Sequence, residues 1–101
     1  PEFPGGDHAL LTFISQNIRY PASALQAGIQ GRVVVQFVVN TDGSVSNVEV
    51  IRSSASDYSQ NTELMAEAVR VVSLIPRWKP GRQRGIPVTS RFRVPVTFRL
   101  E

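Results

Sequence analysis

Apolar residues recur at two spacings along this 101-residue chain, and the switches between them mark its elements. From Leu10 the spacing is helical: Leu10, Leu11, Ile14 and Ile18 make one stripe, with Phe13 beside it. Asp7 follows Pro4-Gly5-Gly6 and is placed to cap this helix, its carboxylate accepting from first-turn amides. Tyr20-Pro21 ends it, because a residue before proline avoids the helical region. Pro21 to Ala27 reads as a second short helical turn, closed by Gly28 in the left-handed conformation. From Arg32 to Asn40 the period becomes two. Val33, Val35, Phe37 and Val39 share one face, while Val34 and Val38 flank Gln36 on the other. A run apolar on both faces predicts a central strand. Asn40-Thr41-Asp42-Gly43 predicts a hairpin turn, and Val45 to Ile51 the returning strand, with Val48 and Val50 facing one way and Asn47 and Glu49 the other.

Arg52 to Gln60 is polar and rich in Ser, so a loop is expected there, with Asn61 or Thr62 capping a second long helix. Leu64, Ala68, Val72 and Ile75 form its stripe, widened by Met65, Val69 and Val71. Glu63 and Glu67 lie near its start, where the helix dipole favours anions, and Pro76 stops it. Arg77 to Pro87 reads as a loop. Val88 to Leu100 then alternates strictly. Val88, Ser90, Phe92, Val94, Val96, Phe98 and Leu100 face one way; Thr89, Arg91, Arg93, Pro95, Thr97 and Arg99 face the other. Pro95 cannot donate to a ladder, so this strand belongs at a sheet edge with position 95 turned outward. Helix, strand, strand, helix, strand is the resulting order over a single domain, residues 1–101. It predicts an α+β two-layer sandwich: a three-stranded antiparallel or mixed sheet in the order 2-1-3, two helices on one face, and a right-handed crossover into the last strand.

Charge changes the picture more than composition does. The net charge is +3, and ten of the eleven basic residues are Arg. Seven of the eleven lie between Arg77 and Leu100, a stretch without a carboxylate. That strip calls for an anionic partner or serves as a solvated face. The absence of cysteine excludes disulfides and thiolate metal sites. No apolar run approaches the roughly 18 residues of a membrane span, and no signal-peptide pattern opens the chain. Catalysis finds little support. His8 beside Asp7 sits in the first turn of a helix, where a capping Asp and a solvated His suffice, and His8, Asp7 and Glu2 are too sparse for a metal. No cofactor is expected. Gly81-Arg82-Gln83-Arg84-Gly85 lacks the following helix that a phosphate cradle needs, and reads as a flexible loop. Arg82, Arg84, Arg91, Arg93 and Arg99 suit phosphates, but Phe92 and Phe98 fall on the dry face, which leaves bases nothing to stack on and argues against nucleic acid.

The open edge of the last strand remains. Arg91, Arg93, Arg99 and Pro95 blunt it against careless pairing. Yet Val88, Thr89, Ser90, Arg91, Phe92, Arg93 and Val94 form a proline-free run along which an extended peptide can add as a strand. Thr89, Arg91 and Arg93 are then the rungs, and the Arg side chains select acidic flanks.

The segments Phe3-Pro4-Gly5-Gly6, Tyr20-Pro21, Gly28-Ile29-Gln30-Gly31-Arg32-Val33-Val34-Val35, Asp42-Gly43-Ser44-Val45, Glu67-Ala68-Val69-Arg70-Val71-Val72, Pro76-Arg77-Trp78-Lys79-Pro80-Gly81 and Val94-Pro95-Val96-Thr97-Phe98-Arg99-Leu100 occur in this order. With them the chain resembles the carboxy-terminal domain of TonB, in the form common in Bacteroidetes-type energy transducers. The Ser-rich stretch from Ser53 to Thr62 departs from that pattern in length. The resemblance implies a non-enzymatic periplasmic domain, tethered by a linker to an inner-membrane helix that an ExbB–ExbD-like motor drives with the proton gradient. It implies a grip on the TonB box, a short extended segment of an outer-membrane transporter, by strand addition at the last strand, in the service of siderophore or glycan uptake. Tyr20, Pro21, Trp78, Pro80 and Gly81 would be structural motif residues, and Arg82, Arg84 and Arg99 basic flanks. A strand-exchanged homodimer is the other way to fill the same edge. TonB-like ends also resemble sensor domains appended to membrane metallopeptidase-type receptors, which is the alternative reading. Both make this chain one domain of a longer protein.

Overall fold

The strand that is apolar on both faces takes the middle of the sheet. In the computed structural model, which describes residues 5–54, 58–79 and 81–100, it is β1 (Gly31–Val39). Hairpin partner β2 (Val45–Ser53) lies on one side of it and β5 (Ser90–Phe98) on the other, all neighbours antiparallel. The predicted 2-1-3 order therefore holds. Helices α1 (Gly6–Asn17), α2 (Ala22–Ala27) and α3 (Tyr58–Ser73) complete the main layers. Two short strands, β3 (Gly81–Gln83) and β4 (Ile86–Val88), form a separate ribbon.

Alternation and helical stripes meet in one core. Val33, Val35, Phe37 and Val39 of β1 are fully buried against Val94, Val96 and Phe98 of β5 and Leu64, Ala68, Val71 and Val72 of α3. Leu10 and Ile14 of α1 close it at one side. Each Val, Leu, Ile and Phe among them contributes on the order of 1.5–3 kcal/mol by leaving water. Trp78, just after α3, packs into the same core against Phe37 and Phe92, with ring centroids 5.5 and 4.9 Å away. Tyr20 meets Phe98 edge-on at 5.6 Å, and its hydroxyl donates to the Ile29 carbonyl. Burial pushes the Tyr20 phenol above its ordinary pKa.

The two sheet seams differ. β1 and β5 keep one register from Gly31 opposite Phe98 to Val39 opposite Ser90. β1 and β2 slip twice, between Val34 and Val35 and between Gln36 and Val38. Each slip gives β2 an extra residue, which bends and twists a strand locally. One leaves Ile51 exposed, and near the other Asn47 has a φ of 51°.

The hairpin turn forms where Asp-Gly predicts it. The Gly43 amide donates to the Asn40 carbonyl at 2.9 Å, and Gly43 has a φ of 87°. Ser44 holds the Asp42 carboxyl below its usual range by donating from its hydroxyl and from its amide, with Arg77 nearby adding to the effect. Gly28 caps α2 at a φ of 69°, also as expected.

Five local expectations need correction. Asp7 does not cap α1: Gly5 holds the N-cap position in the left-handed conformation, and Asp7 lies two positions further on, in the first turn. The Ser-rich loop is shorter than the composition suggests. β2 continues to Ser53, where the Arg32 amide donates to the Ser54 hydroxyl and the Ser54 amide returns to the Arg32 carbonyl. α3 begins at Tyr58, before the expected caps Asn61 and Thr62; residues 55–57 lie outside the described ones. The presumed flexible loop at 81–85 is a hairpin, with Arg84 and Gly85 at φ of 55° and 79°. Two successive positive φ angles make the turn that suits a twisted two-residue hairpin. Finally, the long last strand is broken at Thr89, because Val88 is committed to β4, opposite Gly81.

A polar knot fixes the α1–α2 corner to α3. The Glu67 carboxylate, 10% exposed, accepts from the Arg70 guanidinium at 2.7 Å and from the Arg19 amide at 2.6 Å. Arg70 also donates to the Asn17 carbonyl, and Ser23 to Glu63. Burial alone would raise the Glu67 pKa, but Arg70 and the Arg19 amide prevail and hold it below the ordinary carboxylate range. A lowered folded-state pKa stabilises the fold above the unfolded value and loses that contribution as pH falls through the folded one. Glu67→Gln should therefore cost about 1–2 kcal/mol at neutral pH. Its thermal midpoint should also fall less steeply than that of the wild type below about pH 4.5. Thermal unfolding across pH checks this, and the difference curve removes the contribution of Asp42, present in both proteins. Parallel curves would show that the knot carries no titrating contribution.

Candidate functional site: the open edge of the last strand

Among the described residues, β5 has a strand neighbour on one side only. Its face pattern follows the sequence. Val94, Val96 and Phe98 are buried and Phe92 half-buried, whereas Arg91, Arg93, Pro95 and Thr97 are exposed. The same alternation sets the direction of the backbone. Antiparallel pairs alternate between those that exchange two hydrogen bonds and those that exchange none. Pro95 stands opposite Val34 and has no N–H to give, which makes theirs a pair of the second kind. Arg91, Arg93, Pro95 and Thr97 thus turn their backbone groups to the open edge, and Ser90, Phe92, Val94 and Val96 turn theirs to β1.

The residues singled out from the sequence divide accordingly. Arg91 and Arg93 lie on the edge with outward parity. Ser90, Phe92 and Val94 belong to the same strand but serve its inner seam and core. Val88 is a correction: it sits in the ribbon, not on this edge. Thr89 links ribbon and strand. Arg82 and Arg84 lie on the ribbon that leads into β5, with Arg82 donating to the Gly85 carbonyl at 3.0 Å. Arg99 is exposed just past the strand's other end. Basic groups therefore stand at both ends of the edge and along its exposed face. On that face Arg93 donates to the Gln36 side chain at 3.0 Å, and Gln36 to Glu49 at 3.3 Å. This belt crosses all three strands. Tyr20 and Trp78 serve packing, Pro21 precedes α2, and Gly81 opens β3, while Pro80 lies outside the described residues.

Sequence reasoning missed the second wall of this site. α1 runs beside the open edge and leaves a groove against it. One part, of about 220 Å³, lies between Leu10 and Leu11 of the helix and Phe92 to Pro95 of the strand. Another, of about 410 Å³, lies between Leu11, Ile14 and Ile18 and Pro95 and Thr97 of the strand, with Arg99 just past it. Leu11, 51% exposed, is the helix's main contribution to this wall, and its place in the apolar stripe gave no sign of it. A further depression of about 320 Å³ beside Tyr20 and Pro21 is lined by the Glu67–Arg70 knot, whose charged groups already satisfy one another. Among the described residues, no group of three or more His, Asp or Glu is placed to hold a metal, and no helix is long and apolar enough to cross a membrane.

The fold and this edge define a class: small α+β domains around a three-stranded antiparallel sheet, one edge of which is long, regular and unpaired. Comparison with known proteins makes the class specific. The chain belongs to the family described as Gram-negative bacterial TonB protein C-terminal, whose model matches residues 16–100. It is 34% identical over 91 residues to protein TonB of Helicobacter pylori, which covers 89% of this chain and 29% of that protein. Against protein TonB of Xanthomonas campestris it is 34% identical over 84 residues, covering 81% of this chain and 34% of that one. The chain thus spans about a third of the length of these relatives. Its fold is similar to the solution structure of the H. pylori TonB carboxy-terminal domain, with a TM-score of 0.67 and 29% identity over 90% of this chain and 77% of that one.

Proposed function

We propose that this domain is the gripping end of a TonB-type energy transducer. One observation carries the reading: within a TonB carboxy-terminal fold, β5 presents nine residues in unbroken register with β1 and an unpaired outer edge. The opposite edge, β2, is bulged twice and offers no comparable straight template. An extended segment of an outer-membrane transporter, the TonB box, adds along β5. The amides of Arg91 and Arg93 donate to it, and Arg91, Arg93 and Arg99 favour acidic residues on the wet side. In this reading the domain works in the periplasm of a Gram-negative bacterium, on a longer chain anchored in the inner membrane and moved by an ExbB–ExbD-like motor, without chemistry of its own. Force then passes through backbone hydrogen bonds loaded along the strand. Titration with a peptide of a cognate transporter's amino-terminal segment should shift the amides of Thr89 to Arg93 in heteronuclear NMR spectra. Unmoved signals at saturating peptide would sink the proposal.

A further inference from the structure

Strand addition explains affinity through the backbone, which every sequence shares. Selection must come from side chains, and the two sides of the edge differ chemically. A strand hydrogen-bonded to β5 alternates its side chains between the two faces of the sheet, in step with β5's own. Those beside Phe92, Val94 and Val96 point toward α1. Those beside Arg91, Arg93 and Thr97 point to the wet face.

The α1 side is mainly apolar, with Ser15 its uncharged polar member. Leu11 is half-exposed above buried Ile14, and half-buried Ile18 extends the wall toward Arg99. The groove's charged group on the helix is Asp7, which disfavours an acidic side chain on this side. Across the edge stand Arg91, Arg93 and Arg99, which favour one.

We propose that α1 and the edge of β5 together form a two-walled groove that reads the pattern of the bound segment. Side chains of one parity are apolar and pack against Leu11, Ile14 and Ile18, and those of the other parity are acidic or polar and lie beside the Arg side chains. The occupant is an extended, alternating apolar and acidic peptide. The inference rests on the strand-addition reading above and adds the helix as its selecting element.

Two acetylated nine-residue peptides of identical composition separate the possibilities: one alternating Val with Asp and Thr, the other carrying the same residues as one apolar and one polar block. The wild-type domain should bind the alternating peptide at least about tenfold more tightly, roughly the equivalent of burying one apolar side chain. Leu11→Asp should remove most of that preference, and Leu11→Met should keep it. Leu11 is exposed enough for the fold to survive, which circular dichroism checks, and Ile18→Thr reads the same wall by a second position. Equal affinity of the two peptides for the wild type, or an undiminished preference in both folded variants, would overturn the groove while leaving strand addition standing. Binding of neither peptide at saturation would remove strand addition itself. A wild-type dimer that Leu11→Asp converts to monomer would put a second copy in the groove and overturn the peptide as its occupant.

Discussion

Gly43→Ala should destabilise this domain by about 3–5 kcal/mol, lowering the thermal midpoint by more than about 12 °C. Gly43 is buried at a φ of 87°, where a side chain is strained. A Cβ built there would stand 2.1 Å from the Trp78 carbonyl oxygen and 3.3 Å from the Trp78 nitrogen. Neither neighbour is a flexible side-chain end; both are backbone. The same approach is what lets the Trp78 amide donate to the Gly43 carbonyl at 2.8 Å. Moving the turn away breaks that bond and shifts Trp78, which packs on Phe37 and Phe92. The hairpin tip, the segment after α3 and the start of β5 are thus joined at one glycine. Thermal unfolding followed by Trp fluorescence reads the loss, and near-ultraviolet dichroism reads the disturbed ring cluster. A loss below about 1 kcal/mol would mean that the turn relaxes freely, contrary to the contacts described.

Arg91→Pro should leave the fold intact and weaken peptide binding about tenfold. Backbone parity decides the outcome. Position 91 shares its parity with Pro95, which the sheet already accommodates. Its amide points to the open edge, so a proline there removes a rung from the partner but none from β1. Ser90, the residue before it, is already extended, which is what a following proline demands. Phe92→Pro is the converse. It removes a donor turned toward β1 and should cost about 3 kcal/mol or more of stability. Calorimetric titration beside thermal unfolding distinguishes the two effects. Equal loss of stability in both variants would refute the assigned parity, and undiminished binding by Arg91→Pro would move the site off this edge.

Much of the architecture was legible because it is written in local periodicity. The doubly apolar run of β1 announced a central strand, Asp42-Gly43 announced the hairpin, and Pro95 announced an edge. What escaped has physical reasons. The β3–β4 ribbon turns on Arg84 at positive φ, a conformation that Arg adopts without any local sequence sign. Val88 continues the alternation of β5 perfectly, so only its pairing with Gly81 reveals the break. Asp7 has the chemistry of a cap, yet Gly5 takes the position through its backbone conformation. The bulges of β2 arise from its pairing with β1, and the Gly43–Trp78 approach joins residues far apart in sequence. The candidate site divides in the same way. Its strand was visible as a pattern within one element, while its second wall is α1, some 80 residues away in sequence. Leu11 looked like a member of the core stripe, and only packing shows that Leu10 and Ile14 fill the core and leave Leu11 over the groove.

On the proposed reading, β5 accepts a partner strand through the backbone groups of one parity. Amide hydrogen exchange, residue by residue, in the free domain and with saturating transporter peptide, tests it most directly. Ser90, Phe92 and Val94 should be protected in both states, whereas Arg91 and Arg93 should exchange freely alone and become protected by at least about tenfold in the complex. Unchanged exchange at Arg91 and Arg93, with new protection along β2, would contradict it.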